Sequence, residues 1–264
     1  NFVGENMSIQ VLPILAFKDN YIWCLINEET KHCLIVDPGE AKPVLAQLKH
    51  LNLTLDALLI THHHWDHTNG IRSILKSFPV PVFGPAKEKI VGLTHPVDEG
   101  DKVELANWPI SFAVLAIPGH TLGHIAYYGN QLLFCGDTLL TGGCGRLFEG
   151  TAEQMLNSLK KLAHLPDQTQ IYCGHEYTLA NLHFAQAAEP SNPHIKERLE
   201  KTRILRQKNL ASVPSSLGEE RLSNPFLRCK NPGILTQIEK RTGKKFTSTV
   251  EVFTYLRQWK NNFK

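Results

Sequence analysis

Nothing in the 264-residue chain approaches the roughly 20 consecutive apolar residues of a membrane-spanning helix, so no membrane partner is expected. Charge of one sign is scarce: 28 Lys and Arg stand against 25 Asp and Glu, a formal +3. That balance, without a dense basic stretch, gives no footprint for a nucleic acid. The six cysteines are too sparse for a disulfide scaffold and show no C-x-x-C pair for a thiolate zinc site. A hydrophobic content of 42% with low net charge excludes a disordered chain. The first ten residues lack a basic region followed by an apolar one, so no secretory leader is expected. Residues 1–6, before Met7, read as a vector remnant or upstream extension. A soluble, cytoplasmic protein is the expectation.

What is present alternates. Short apolar runs at 33–36, 57–60, 80–83, 110–117, 125–128, 131–135 and 171–173 read as strands, broken by glycine and proline turns. Between them, 43–51 reads as a helix, and Ile71, Ile74, Leu75 and Phe78 mark one face of another. Thr151 with Gln154 has capping-box spacing and predicts a helix to about residue 163. After Tyr177 the pattern is helical: 179–188, then a helix opened by Asn192-Pro193, then capping boxes at Ser216/Glu219 and Ser248/Glu251. Two segments are expected, 7–173 and 174–264.

Chemistry concentrates at Thr61-His62-His63-His64-Trp65-Asp66-His67, directly after a strand run. Four of the thirteen histidines fall within these seven positions. In an extended or tight-loop backbone, residues two apart point the same way. His62, His64 and Asp66 are therefore expected to face one site, His67 a neighbouring one, and His63 and Trp65 to point away. Imidazole and carboxylate suit zinc, iron or manganese.

Three further strand runs end in glycine followed by a potential ligand: Gly119-His120, Gly136-Asp137 and Gly174-His175. One such ending is only a turn; three of them beside the histidine cluster complete a two-metal set. One ion takes His62, His64 and His120, the other Asp66, His67 and His175, and Asp137 bridges. Each ion keeps an open position, as a catalytic site requires. Asp37 is expected to fix a loop by hydrogen bonds, His124 and His183 to be structural or surface histidines, and Cys135, Cys144 and Cys173 to be buried side chains rather than nucleophiles.

The T-H-x-H-x-D-H segment with His120, Asp137 and His175 resembles the metallo-β-lactamase superfamily. The segments Cys135-Gly136-Asp137-Thr138, 142–151, 173–178 and Asn224-Pro225-Phe226-Leu227-Arg228 resemble, more specifically, the glyoxalase II (hydroxyacylglutathione hydrolase) family. The resemblance runs from about Ile9 to the C-terminus.

The resemblance implies an α+β fold, a four-layer αβ/βα metallo-β-lactamase sandwich followed by a helical, substrate-binding C-terminal domain. It implies hydrolysis of S-D-lactoylglutathione to glutathione and D-lactate, the second step of methylglyoxal detoxification, by a hydroxide held between two divalent ions, usually zinc, otherwise iron or manganese. The two cations generate that nucleophile at neutral pH, and Asp66 and Asp137 are the catalytic carboxylates. By the same resemblance Arg146, Phe148, Tyr177, Arg228 and Lys230 contact a glutathione thioester, the arginines gripping its carboxylates. Some family members carry Lys at the position of Arg146 and Tyr at that of Phe148. A monomer is expected. The alternative enzyme is a mono-iron persulfide dioxygenase acting on glutathione persulfide; a β-lactamase, a nuclease and a non-catalytic glutathione-conjugate binder rank lower.

Overall fold

The computed structural model describes residues 8–106 and 108–263; residues 1–6 lie outside them. Two compact units divide the chain. One runs to Leu115 and includes Ile125–Asn130; the other comprises Ala116–His124 and everything from Gln131 onward.

The first unit is built on a six-stranded sheet in sequential order: β1 (Ile9–Ala16), β2 (Asn20–Asn27), β3 (His32–Val36), β4 (Thr54–Leu59), β5 (Val82–Pro85) and β6 (His95–Val97). The first three strands are antiparallel neighbours, and β3 to β6 run parallel. Parallel neighbours need a crossover, here α1 (Ala41–His50) between β3 and β4, then α2 (Trp65–Thr68) and α3 (Ile71–Ser77) between β4 and β5. Val44 and Leu48 of α1 and Ile71 and Ile74 of α3 pack on a sheet face made by Ile22, Cys24, Ile26, Cys33, Ile35 and Leu58. The strands β7 (Lys102–Val103), β8 (Phe112–Ala116) and β9 (Ile125–Gly129) lie side by side in the order 7-8-9.

In the second unit β10 (Leu132–Gly136) pairs parallel with β13 (Gln170–Cys173), which pairs antiparallel with β14 (Ser215–Ser216). The chain between β10 and β13 forms a small ribbon, β11 (Leu139–Leu140) with β12 (Gly143–Cys144), and then α4 (Ala152–Leu162). The Thr151/Gln154 capping box is formed, and α4 buries Met155, Leu156, Leu159 and Leu162. The helices α5 (Thr178–Ala188), α6 (Pro193–Gln207), α7 (Leu217–Ser223), α8 (Pro232–Thr242) and α9 (Thr249–Asn261) follow, with a 3-10 turn at Pro225–Leu227. Ser216 and Ser248 close the two other expected capping boxes. Phe226 links these helices, its ring 5.9 Å from that of Phe184 and 5.6 Å from that of Phe253.

Among the described residues no helix is long and apolar enough to cross a membrane. All six cysteines are buried. Burial raises the thiols of Cys135 and Cys144, and pushes Cys173 up to about 11 and Cys229 up to about 12, so they are packing groups, as expected.

Candidate active site

Each unit places candidate ligand residues by one device: the carboxyl ends of two adjacent parallel strands lie side by side, and a polar residue follows each within two positions. In the first unit Val36 of β3 pairs with Leu59 of β4, and the Asp37 amide donates to the Leu59 carbonyl at 3.0 Å. Asp37 therefore sits beside Thr61. Its carboxylate accepts from the Thr61 amide at 2.8 Å, the Thr61 hydroxyl at 2.6 Å and His67 Nδ1 at 3.0 Å.

These bonds fix two imidazole tautomers. A carboxylate only accepts, so the proton of His67 is on Nδ1, and Nε2 of the neutral ring carries the lone pair. The Thr61 hydroxyl spends its one O–H donor on Asp37 and so accepts from His62 Nδ1 at 3.0 Å, which leaves the His62 lone pair on Nε2 as well. His67 Nε2 lies 3.4 Å from Asp66 Oδ2, and His62 Nε2 lies 3.2 Å from His64 Nδ1. The electron pairs of His67 Nε2 and Asp66 Oδ2, facing one another at this distance, fit a cation between them. One ligand atom from each of Asp37, His62 and His67 lies within 4.8 Å of the others.

The extended backbone expected through this motif stops at His64. Residues 65–68 instead form one helical turn, which carries Asp66 and His67. Trp65 does point outward, 63% exposed and edge-on to Phe17 with ring centroids 4.9 Å apart. Asp66 is held by Asn20, whose side-chain amide donates to Oδ2 at 2.9 Å. Gly39 permits the close approach: a Cβ there would stand 1.8 Å from the Asp66 carbonyl oxygen.

In the second unit β10 and β13 end together, Gly136 opposite Cys173, and the Gly174 amide donates to the Gly136 carbonyl at 2.9 Å. Asp137 and His175 emerge side by side. His175 Nε2 is 3.2 Å and His120 Nε2 3.4 Å from the same oxygen, Asp137 Oδ2. His120 Nδ1 donates to the Arg146 carbonyl at 2.8 Å, so its lone pair too is on Nε2. The Asp137 amide donates to His124 Nε2 at 3.2 Å, which gives that buried histidine the structural role expected of it. Two rings frame the ligands: Tyr177 lies flat over His175 at 4.7 Å and 5°, and the exposed Phe148 stands edge-on to His120 at 5.2 Å. The donor set of each unit, neutral imidazole Nε2 with carboxylate oxygen, suits a divalent metal ion.

The cations expected to meet substrate stand in different surroundings. Arg228 grips Glu189 in a two-pronged pair, both contacts at 2.8 Å, and donates to the Arg221 carbonyl at 3.0 Å. With Lys230 it lines a cavity of 340 Å³ alongside Leu156, Leu159 and Phe226. Sequence reasoning passed over Arg257 and Lys260 on α9. Arg257 is 5% exposed and donates to the Cys144 carbonyl at 2.6 Å and to Asn261 Oδ1 at 3.2 Å, both uncharged. Burial, together with repulsion from Arg257 and Arg146, lowers the pKa of Lys260. Three cations thus act on one region beside the Cys144–Arg146 backbone. Arg257 and Lys260 stand at i and i+3 on a terminal helix, and that spacing alone gives no distinguishing signal in the sequence.

Residues 19–175 match the metallo-beta-lactamase superfamily, and residues 176–263 match the family described as hydroxyacylglutathione hydrolase C-terminus. The chain is 51% identical over 255 residues to a hydroxyacylglutathione hydrolase of Nitrosomonas eutropha, covering 97% of this chain and 99% of the relative. A hydroxyacylglutathione hydrolase of Photobacterium profundum is also 51% identical, over 258 residues, covering 97% of this chain and all of the relative. The crystal structure of ETHE1 from Myxococcus xanthus shares the fold, with a TM-score of 0.65 at 23% identity, covering 96% of this chain and 97% of the other. A metallo-beta-lactamase from Staphylococcus aureus does so with a TM-score of 0.63 at 19% identity, covering 97% of this chain and 72% of the other. The fold is the expected α+β metallo-β-lactamase fold with a helical C-terminal region, and the chain belongs to the hydroxyacylglutathione hydrolase family, hydrolases of thioesters that bind divalent metal.

Proposed function

We propose that the protein hydrolyses S-D-lactoylglutathione to glutathione and D-lactate, with His62, His64, Asp66, His67, His120, Asp137 and His175 as the ligands of two divalent ions, most simply zinc. The observation that carries this is the tautomer arrangement: in each unit a fixed acceptor holds an Nδ1 proton, leaving Nε2 toward a carboxylate or another imidazole. When bound, the ions lower the pKa of a water and polarise the thioester carbonyl. Asp66 orients the attacking water's proton, and Asn20 holds Asp66 in place for that task. Asp137, with its carboxylate beside the His120 and His175 nitrogens, would supply carboxylate oxygen to the ions. A thiolate leaves readily, so no general acid is required of the chain.

Glutathione brings two carboxylates and a flexible peptide. Arg146, Arg257 and Lys260 supply the positive charge for a carboxylate; Tyr177 and Phe148 supply flat surface beside the ligands. Arg228 and Lys230, the cations that the resemblance implies, are in this reading support for the helical region, because Glu189 already neutralises Arg228. The functional segments are 7–173 for catalysis and 174–264 for substrate binding. A monomer in the cytosol, where glutathione is abundant and reduced, completes the reading.

The test is loss of thioester absorbance with S-D-lactoylglutathione, with metal content measured on the same sample. Rapid hydrolysis with about two ions per chain is expected. Two ions without hydrolysis would overturn the substrate, and a single iron with oxygen uptake on glutathione persulfide would favour the dioxygenase.

A further inference from the structure

The loop from Leu139 to Arg146 is held residue by residue from the helical region. The Glu220 carboxylate is fully buried and accepts from the Gly142 amide at 2.9 Å, from Asn224 Nδ2 at 2.9 Å, from the Ser215 hydroxyl at 2.6 Å and from the buried Arg198. Asn224, also fully buried, donates through the same Nδ2 to the carbonyls of Gly143 at 2.9 Å and Leu140 at 3.3 Å. The next carbonyl, Cys144, takes Arg257 at 2.6 Å. Gly145 donates to Thr138 at 3.2 Å and lies so close to Asp137 that a Cβ would stand 1.9 Å from its carbonyl oxygen. The next carbonyl is that of Arg146, which receives the His120 Nδ1 proton.

We propose that Asn224 and Glu220 are positioning residues for the metal site: by clamping Leu140, Gly142 and Gly143 they fix the Arg146 carbonyl that sets the tautomer and ring direction of His120. The inference rests on the proposed ligand role of His120. It follows from the segment's lack of stiffness. Gly142 has a positive φ of 73° and glycine stands at 142, 143 and 145, so this segment has little conformational preference of its own. Its geometry comes from outside, from two buried polar side chains with no solvent to replace them. A buried amide and carboxylate that serve one loop so completely have a cost in desolvation, and what they hold is the acceptor of a ligand.

The experiment uses the full chain, loaded with Zn(II), as wild type, Asn224→Ala and Ser215→Ala. Zinc affinity is measured by competition with a chromophoric chelator, the His120 ring by its Nδ1–H resonance in ¹⁵N-labelled protein, and stability by the melting temperature. Removing an outer-shell partner of a metal ligand typically weakens metal binding by about 10- to 100-fold. We expect at least about tenfold weaker binding of one ion in Asn224→Ala, with the His120 resonance lost or shifted. Ser215→Ala, which takes one donor from Glu220 and the 3.4 Å hydroxyl contact with Thr141 but leaves the bonds to Leu140, Gly142 and Gly143 in place, moves both readings the same way by less. A merely structural role lowers the melting temperature and leaves both readings alone. Zinc affinity within twofold of wild type with His120 unmoved, in folded Asn224→Ala or, should that variant not fold, in Ser215→Ala, overturns the inference. Wild type without bound zinc and without thioester hydrolysis would overturn the proposed function, and this inference with it.

Discussion

Asp37→Asn is the most informative single substitution, because it changes two protons and almost nothing else. The side chain is isosteric, and the φ of 53° at this position is one that Asn tolerates readily, so the backbone need not move. In the wild type, Asp37 Oδ2 receives both the Thr61 hydroxyl and His67 Nδ1, while Oδ1 receives the Thr61 amide. The Asn oxygen keeps the Thr61 amide, so its NH2 group faces the hydroxyl and the imidazole. It can only donate. His67 then accepts at Nδ1 and carries its proton on Nε2, and the Thr61 hydroxyl turns its own proton toward His62 Nδ1 with the same result. Both rings lose the lone pair that a metal needs. The loss of such an outer-shell partner corresponds to about 10- to 100-fold in metal affinity, or about 1.4–2.8 kcal/mol. The apoprotein also loses charge-assisted bonds at a site 3% exposed, worth about 2 kcal/mol of stability in sum. The assay is zinc competition with a chelator, alongside ¹⁵N shifts of the two rings and turnover at saturating zinc. Wild-type zinc affinity in Asp37→Asn, with both Nδ1 atoms still protonated, would refute the tautomer reasoning outright.

Two further substitutions separate the cations. Lys260→Met should raise KM for the glutathione thioester by about tenfold with kcat little changed, since one charge-assisted hydrogen bond is worth about 1.5–3 kcal/mol; an unchanged KM would remove Lys260 from the substrate site. Burial and the charges of Arg257 and Arg146 depress the Lys260 pKa, so its charge is lost at lower pH than that of an ordinary lysine, and KM should rise with pH through that value. Lys260→Arg should flatten the rise, and a rise that survives it would assign the titration to another group. Arg228→Met strands the Glu189 carboxylate, 5% exposed, and should cost about 3 kcal/mol of stability with KM unchanged. A raised KM at an unaltered melting temperature would instead return Arg228 to the substrate.

Much of this architecture is legible in the sequence, for identifiable reasons. The strands that lead to the candidate ligands are short apolar runs followed by glycine or a polar residue, and β4, β10 and β13 fall within a few residues of their expected places. The capping boxes at Thr151, Ser216 and Ser248 are local chemistry and appear as read. What local pattern misses is long-range. The β1–β2 hairpin carries no glycine turn of the usual kind; Phe17 supplies a positive φ of 49° in its place, so the sequence gives no hairpin signal. The helical turn at 65–68 is four residues long, too short for any periodicity to register. Arg228 and Arg257 look alike in sequence. They part only when Glu189, thirty-nine positions away, is seen to take one of them, and the Cys144 carbonyl, at a separation of 113, the other.

Asp37 shows why the bland reading of a residue and its functional one need not compete. A strand-end aspartate that fixes a loop is what the sequence suggests, and it does fix one, through the Thr61 amide. The same carboxylate, because β3 and β4 end in register, has one more oxygen edge to offer, and His67 and Thr61 fill it. In the second unit Asp137 faces the His120 and His175 nitrogens, and the backbone carbonyl of Arg146 accepts from His120 Nδ1. A carbonyl has no charge to strengthen the bond and no side chain to orient it, so its position must be imposed by the loop that carries it. The dense clamp on that loop from Glu220, Asn224 and Arg257 does for this carbonyl what charge does for the Asp37 carboxylate.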